Sequence, residues 1–194
     1  MNTLIIDPTR TALVLIDLQQ GVVGRLLAPR SGPEVVRNAA RLAARFRTLG
    51  ATVVLVRVAF SPDAKDILTL PADVPMQFNV SALPPTWADM TPEIGPQPGD
   101  LVITKRQWGA FHGTELDLQL RRRNVRTIVL GGIATHIGVE STARSAYEHG
   151  YAQILVEDAM ASTSAETHEF AVKNIFPRIG YVRSTEQVLA ALAL

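Results

Sequence analysis

The chain has 194 residues, with 19 Lys and Arg against 18 Asp and Glu, a formal charge of +1 and no cysteine. At about 100 to 200 residues per domain this length predicts one domain spanning residues 1–194, and 47% hydrophobic with 19% charged residues supplies a core without a structural metal or disulfide. The missing cysteines exclude disulfide frameworks, thiolate zinc sites and a cysteine nucleophile, and the near-neutral charge gives no field for gathering nucleic acid or an anionic membrane. Met1-Asn2-Thr3-Leu4 lacks the basic and long apolar regions of a secretion signal. Apolar stretches such as residues 128–134 and 188–194 fall short of the roughly 18 residues a membrane span needs. A cytoplasmic location is expected.

In chain order, apolar runs rich in Val, Ile and Leu at residues 12–16, 52–58, 101–104, 127–130, 153–156 and 179–182 predict strands buried on both faces. Between them stand helix signals. Ser31 with Glu34 reads as a capping box, followed by Val35, Ala39, Leu42, Ala43, Phe46 and Leu49 at helical spacing before Gly50. Thr114 heads a helix through Leu116, Leu118 and Leu120, while Thr163 with Glu166 and Ser184 with Gln187 repeat the start signal. Strand and helix alternation predicts an α/β fold, a parallel sheet with helices on both faces. The exception is residues 60–99, where eight of the twelve prolines fall between Pro62 and Pro98. Proline cannot donate to a ladder, so this is an irregular excursion, expected to form a pocket wall, a subunit contact or surface decoration. Arg121-Arg122-Arg123 sits at a helix end, where cations suit the macrodipole.

In parallel sheets ligands bind beyond the carboxyl ends of the strands. Asp17 follows the first run, Lys105 follows the third, and a strand-to-helix turn over residues 131–138 follows the fourth. Each alone reads as a cap, a strand end or a tight turn; together they predict a partly buried acid and base whose titration is tuned. Gly131, Gly132 and Gly138 do not fit a dinucleotide fingerprint, and no phosphate-binding loop occurs. His112, His136, His149 and His168 lack metal-ligand spacing. No G-x-S-x-G elbow is present; Ser141 is a candidate nucleophile, against the alternative of a packing or capping serine.

Three stretches, residues 12–19, 105–116 and 131–144, resemble the isochorismatase-like hydrolases, also called cysteine hydrolases. The resemblance runs from about residue 11 to the C-terminus. It implies a Rossmann-like three-layer α/β/α fold with a six-stranded parallel sheet and a site of an Asp, a Lys and a Cys. Asp17 and Lys105 match the first two, and Gly138 stands where the Cys would be, so the covalent thioester of the amidase branches is excluded. The metal ligands of nicotinamidase-like members are also absent, because Ala59-Phe60-Ser61-Pro62-Asp63 offers no His. No metal and no cofactor are expected.

Isochorismatases resemble this chain in carrying glycine at that position, and hydrolyse a vinyl ether to release pyruvate with a general acid and no nucleophile. Asp17 would be the acid; burial raises its pKa and Lys105 lowers it, and the sequence leaves the balance open. Lys105 would orient Asp17 or bind a substrate carboxylate. Backbone amides near Ile137 and Gly138 would hold an anionic group. The remaining expected substrate contacts are Gln19, Trp108, Phe111, Ile133, Ala134, Thr135 and His136, with a subunit interface the alternative for both aromatics and core packing a further one for Phe111. The resemblance further implies a cis Ile133-Ala134 peptide. Ala134 replaces a tyrosine of isochorismatases, and the motifs look closest to an uncharacterised bacterial branch. The expected activity is hydrolysis of a small organic acid; a binding or assembly module without catalysis, and a Ser141 amidase, are the alternatives. A homodimer or homotetramer is implied, which the mean hydropathy of +0.15 suits.

Overall fold

Thr11–Ile16 (β1), every residue of it buried, is the inner strand from which the fold is built. The computed structural model describes residues 4–75 and 79–192. The strands Thr52–Val58 (β2), Leu101–Lys105 (β3), Thr127–Ile133 (β4), Ala152–Ala161 (β5) and Tyr181–Arg183 (β6) join β1 in one parallel sheet of order β3-β2-β1-β4-β5-β6. The order reverses direction between β1 and β4, which leaves a crevice at their carboxyl ends.

Alternation along β1 sorts the core into two layers. Leu13 and Leu15 face Gly32–Thr48 (α2) and Thr185–Ala191 (α7), through Val35, Ala39, Phe46 and Val188. Ala12, Val14 and Ile16 face Leu116–Arg122 (α3), Glu140–Glu148 (α4) and Phe176–Ile179 (α6), through Leu116, Leu120, Ala143 and Phe176. Shorter helices at Gln20–Val23 (α1) and Ala165–Phe170 (α5) complete the layers. Two of the three capping boxes form as the sequence indicates: the Ser31 amide reaches the Glu34 carboxylate at 2.8 Å and the Ser184 amide reaches Gln187 Oε1 at 2.9 Å. Among the described residues no helix is long and apolar enough to cross a membrane.

Four local expectations are corrected. Gly131 and Gly132 lie inside β4, not in the turn after it. Gly132 has φ +131° and a Cβ there would stand 2.2 Å from the Ile16 carbonyl oxygen, so the strand passes β1 at this distance only without a side chain. Helix α5 is capped by Ser164, whose hydroxyl accepts the Thr167 amide at 3.2 Å, in place of Thr163. Residue 179 ends α6, which continues the helical run that begins at Ala165, and the sixth strand begins at Tyr181. Leu118 is 48% exposed, and α3 begins at Leu116, with the Thr114 hydroxyl accepting the Leu116 amide at 3.2 Å.

The proline-rich excursion has two characters, and residues 76–78 of it lie outside the described residues, as do 1–3 and 193–194. Its later part is docked on the core: Trp87, Met90 and Ile94 are buried, the Trp87 and Asp89 carbonyls accept the Gly21 and Gln20 amides at 3.0 and 2.9 Å, and the Thr91 amide donates to Leu18 at 3.1 Å. This packing braces the segment that follows Asp17. The earlier part is mostly exposed and is clipped beside β3 by Arg106, whose Nε donates to Asp66 Oδ2 at 2.5 Å.

Candidate active site

Asp17 continues β1 by one ladder bond, its amide donating to Val56 at 2.8 Å, and then turns to φ 54°. Asp is one of the few residues besides glycine that adopts this left-handed conformation. Its carboxylate meets Lys105, the last residue of β3: Nζ donates to Asp17 Oδ2 at 2.7 Å and to the Gln107 carbonyl at 3.2 Å. The pair is closed off from solvent, with Asp17 7% and Lys105 2% exposed.

The two halves of the carboxylate differ. Oδ2 holds the ammonium, while Oδ1 is buried without a hydrogen-bond partner. Burial pushes the Asp17 carboxyl above the usual carboxylate range; the charge and hydrogen bond of Lys105 and the Val58 backbone pull the other way without cancelling it.

Gly138 stands against this pair. It lies in the π-helical turn Thr135–Val139 that joins β4 to α4. A Cβ on Gly138 would be 3.3 Å from Asp17 Oδ2, 3.2 Å from Ile16 Cγ2 and 3.4 Å from the Trp108 carbonyl oxygen. The backbone of Gly138 lies outside the left-handed region, so the glycine answers to space and not to conformation. The turn follows a cis Ile133-Ala134 peptide, as the resemblance implies.

Asp17, Lys105, Gly138, the Trp108 backbone and the half-buried Ala134 are thus at the carboxyl edge of the sheet. The Trp108 ring is 54% exposed. Other expected contacts are otherwise engaged. The Gln19 side chain is fully buried and donates to the Val58 and Trp87 carbonyls at 3.1 and 3.2 Å while accepting the Val58 amide at 2.9 Å, so it fastens backbone. Phe111 is in the core, stacked on His149 at 5.0 Å and tilted on Tyr151 at 5.9 Å, by the far end of α4. The Ile137 amide donates to the Ala134 carbonyl at 3.1 Å and is not free for an anion. Ile133 is 2% exposed in the layer with α2. Thr135 is fully buried with Oγ1 2.8 Å from His168 Nδ1, and His136 Nδ1 bonds the Ser162 hydroxyl. Ser141 lies beside Gly109.

Sequence reasoning missed Ser162 and His168. The signal available was the polar run Ser162-Thr163-Ser164, five residues beyond the fifth apolar run and, because β5 extends to Ala161, at the same edge as Asp17. Among the described residues no three His, Asp or Glu side chains gather to hold a metal ion. A separate cavity of about 350 Å3 lies at the opposite, amino end of the strands, between Arg10, Arg126, Gln153 and Tyr181.

The Isochorismatase domain model matches residues 11–187. The isochorismatase family protein YwoC of Bacillus subtilis (strain 168) is 53% identical over 189 residues, 97% of each chain. The solved structure of an isochorismatase family protein from Burkholderia thailandensis covers all of both chains with a TM-score of 0.93 and 45% identity. The ureidoacrylate amidohydrolase RutB of Methylorubrum extorquens (strain ATCC 14718) is 30% identical over 211 residues, 96% of this chain and 84% of the relative. Sheet order, edge geometry and these likenesses agree: the chain belongs to the isochorismatase family.

Proposed function

We propose that this protein hydrolyses a small organic acid, with Asp17 as general acid and Lys105 as its partner, and that the bond broken is an enol ether of the isochorismate kind. The observation that carries the reading is Asp17 itself: a buried carboxyl held above the usual range, bonded to Lys105 through one oxygen and bordered by a residue without a side chain. A carboxyl that keeps its proton can deliver it.

In an enol ether the proton goes to the terminal carbon of the double bond. The π electrons form the new C–H bond and leave an oxocarbenium ion at the adjacent carbon. Water adds there, its proton passes to the Asp17 carboxylate, and the hemiketal breaks its C–O bond to give an alcohol and a keto acid. No enzyme atom bonds to carbon, so the lack of a side chain at 138 removes nothing the reaction needs. Lys105 stabilises the Asp17 carboxylate while its proton is away.

The amidohydrolase names among the relatives support hydrolysis as the reaction class. An amidase needs an activated nucleophile. Among the described residues the Ser141 hydroxyl has no hydrogen bond to Asp17, Lys105 or a histidine, which favours the enol-ether reading. The test is pyruvate release from isochorismate, coupled to NADH oxidation, for the parent beside Asp17→Asn. Turnover in the parent and a loss of about 1,000-fold in the variant is expected. No release from the parent rejects this substrate; silence in an amide and ester screen as well would favour a binding module.

A further inference from the structure

The turn that carries Gly138 is fastened from behind by two adjacent side chains. Thr135 Oγ1 meets His168 Nδ1 of α5 at 2.8 Å, and His136 Nδ1 meets Ser162 Oγ just after β5. The bonds are reciprocal: a hydroxyl on the turn to an imidazole behind it, then an imidazole on the turn to a hydroxyl behind it. Thr135 and Ser162 are fully buried and His168 is 3% exposed. The receiving side is itself held, because Ser162 pairs with Ala28 through two backbone bonds of 2.9 and 2.8 Å and its hydroxyl accepts from Thr167 Oγ1 at 3.2 Å.

Both rings are kept neutral. Burial, and then the Arg30 guanidinium, push His168 down to about 4 against the pull of Glu169, and burial lowers His136 against the pull of Glu140. A neutral imidazole offers one donor and one acceptor nitrogen, and a hydroxyl can meet either, so each ring stays bonded without taking up a charge. Two bonds on consecutive residues fix the rotation of the turn as well as its place, where a single bond would act as a pivot.

We propose that His168 and Ser162 are positioning residues, which hold Thr135 and His136 and so set where the turn and Gly138 stand against Asp17. Their leverage is the 3.3 Å separation between Asp17 Oδ2 and the Cβ position of Gly138. A shift of about 1 Å there admits water to the carboxyl and relieves the desolvation that raises it. An effect on turnover rests on the reading of Asp17 as the acid; the clamp itself is tested without substrate.

The experiment is a titration of the Asp17 carboxyl by carbon-13 NMR in the parent, His168→Ala, His168→Asn and Ser162→Ala, with thermal melts alongside. Asn places an amide group where Nδ1 stands. The midpoint should fall by about one pH unit in His168→Ala and Ser162→Ala and stay near the parent's in His168→Asn. Purely structural residues would lower the melting temperature and leave the midpoint in place; unchanged midpoints in both folded alanine variants overturn the proposal. If either alanine variant fails to fold, His168→Gln, whose amide reaches the Nε2 position, should lower the midpoint where His168→Asn does not, and equal midpoints overturn it. A parent Asp17 that titrates as an ordinary carboxylate would sink the general-acid reading instead. The clamp is then judged by the Gly138 amide cross-peak, which should move in His168→Ala and Ser162→Ala but not in His168→Asn, and its constancy in all three overturns the proposal.

Discussion

Gly138→Ala separates the space at the site from the stability of the fold. The new methyl would stand 3.2 Å from Ile16 Cγ2, 3.3 Å from Asp17 Oδ2 and 3.4 Å from the Trp108 carbonyl oxygen. The first two contacts are a few tenths of an ångström too close and the third is an ordinary one, so the cost belongs at the low end of the about 1–3 kcal/mol of overpacking. Replacing glycine in a helical turn returns up to about 1 kcal/mol. The net loss should be about 1 kcal/mol or less, about 2–4 °C in melting temperature for a chain of this size. The methyl also narrows the space against the Asp17 carboxyl, which the reacting part of the substrate must approach to take its proton. Displacing that part by about 1 Å costs about 100-fold in rate, or about 2.7 kcal/mol of barrier. Urea denaturation and kcat on whatever substrate the parent turns over measure the two effects on the same variant. A stability loss above about 3 kcal/mol would refute the packing argument, and an unchanged kcat would refute the placement of the substrate.

Three further outcomes are expected. His168 is an imidazole held neutral, at about 4 against its ordinary 6.5, so the stability it contributes is present above about pH 6.5 and is lost as pH falls through about 4. The gap corresponds to about 3 kcal/mol, and His168→Asn should lose that much less stability than the parent between pH 7 and pH 4 in urea melts; equal losses would contradict it. Gln19→Leu leaves the Val58 amide and the Val58 and Trp87 carbonyls without their side-chain partner, and should cost about 3 kcal/mol in denaturation, a loss under about 1 kcal/mol speaking against the bracket. Lys105→Met removes the largest influence that lowers the Asp17 carboxyl, so any remaining activity should persist to higher pH on the alkaline limb of the rate profile; a limb displaced to lower pH would reverse the assignment.

The sheet was legible wherever burial on both faces demands an unbroken run of Val, Ile and Leu, as in β1 and β2. It was not legible where a strand must pass close to another backbone. At Gly131 and Gly132 the absence of a side chain reads as a turn in sequence, yet in space it is what lets β4 lie against the Ile16 and Ala159 carbonyls. Ile179 likewise reads as strand in sequence, yet it closes the helical run that begins at Ala165. The segment around Trp87 carries no periodicity, so its docking on Gly21 depends on contacts made across some 66 residues of chain.

The acid and base of the site were legible because each closes an apolar run at one edge, and they meet at 2.7 Å across 88 residues. Gln19, Phe111, Thr135 and His136 stand in the same stretches and look equally suited to a substrate. Each has a partner inside the protein: Gln19 the Val58 and Trp87 carbonyls, Phe111 the rings of His149 and Tyr151, Thr135 His168, and the half-buried His136, through Nδ1, Ser162. A side chain whose hydrogen bonds are met inside the protein has little left to offer a ligand. Of the buried side-chain atoms left without a partner among the described residues, Asp17 Oδ1, Thr91 Oγ1 and Gln153 Oε1, only the first belongs to an ionisable group. With Oδ2 accepting from the Lys105 ammonium, Oδ1 is the oxygen on which the proposed general acid would carry its proton, so the same arrangement that pairs the carboxyl with Lys105 also settles which of its oxygens would face a substrate.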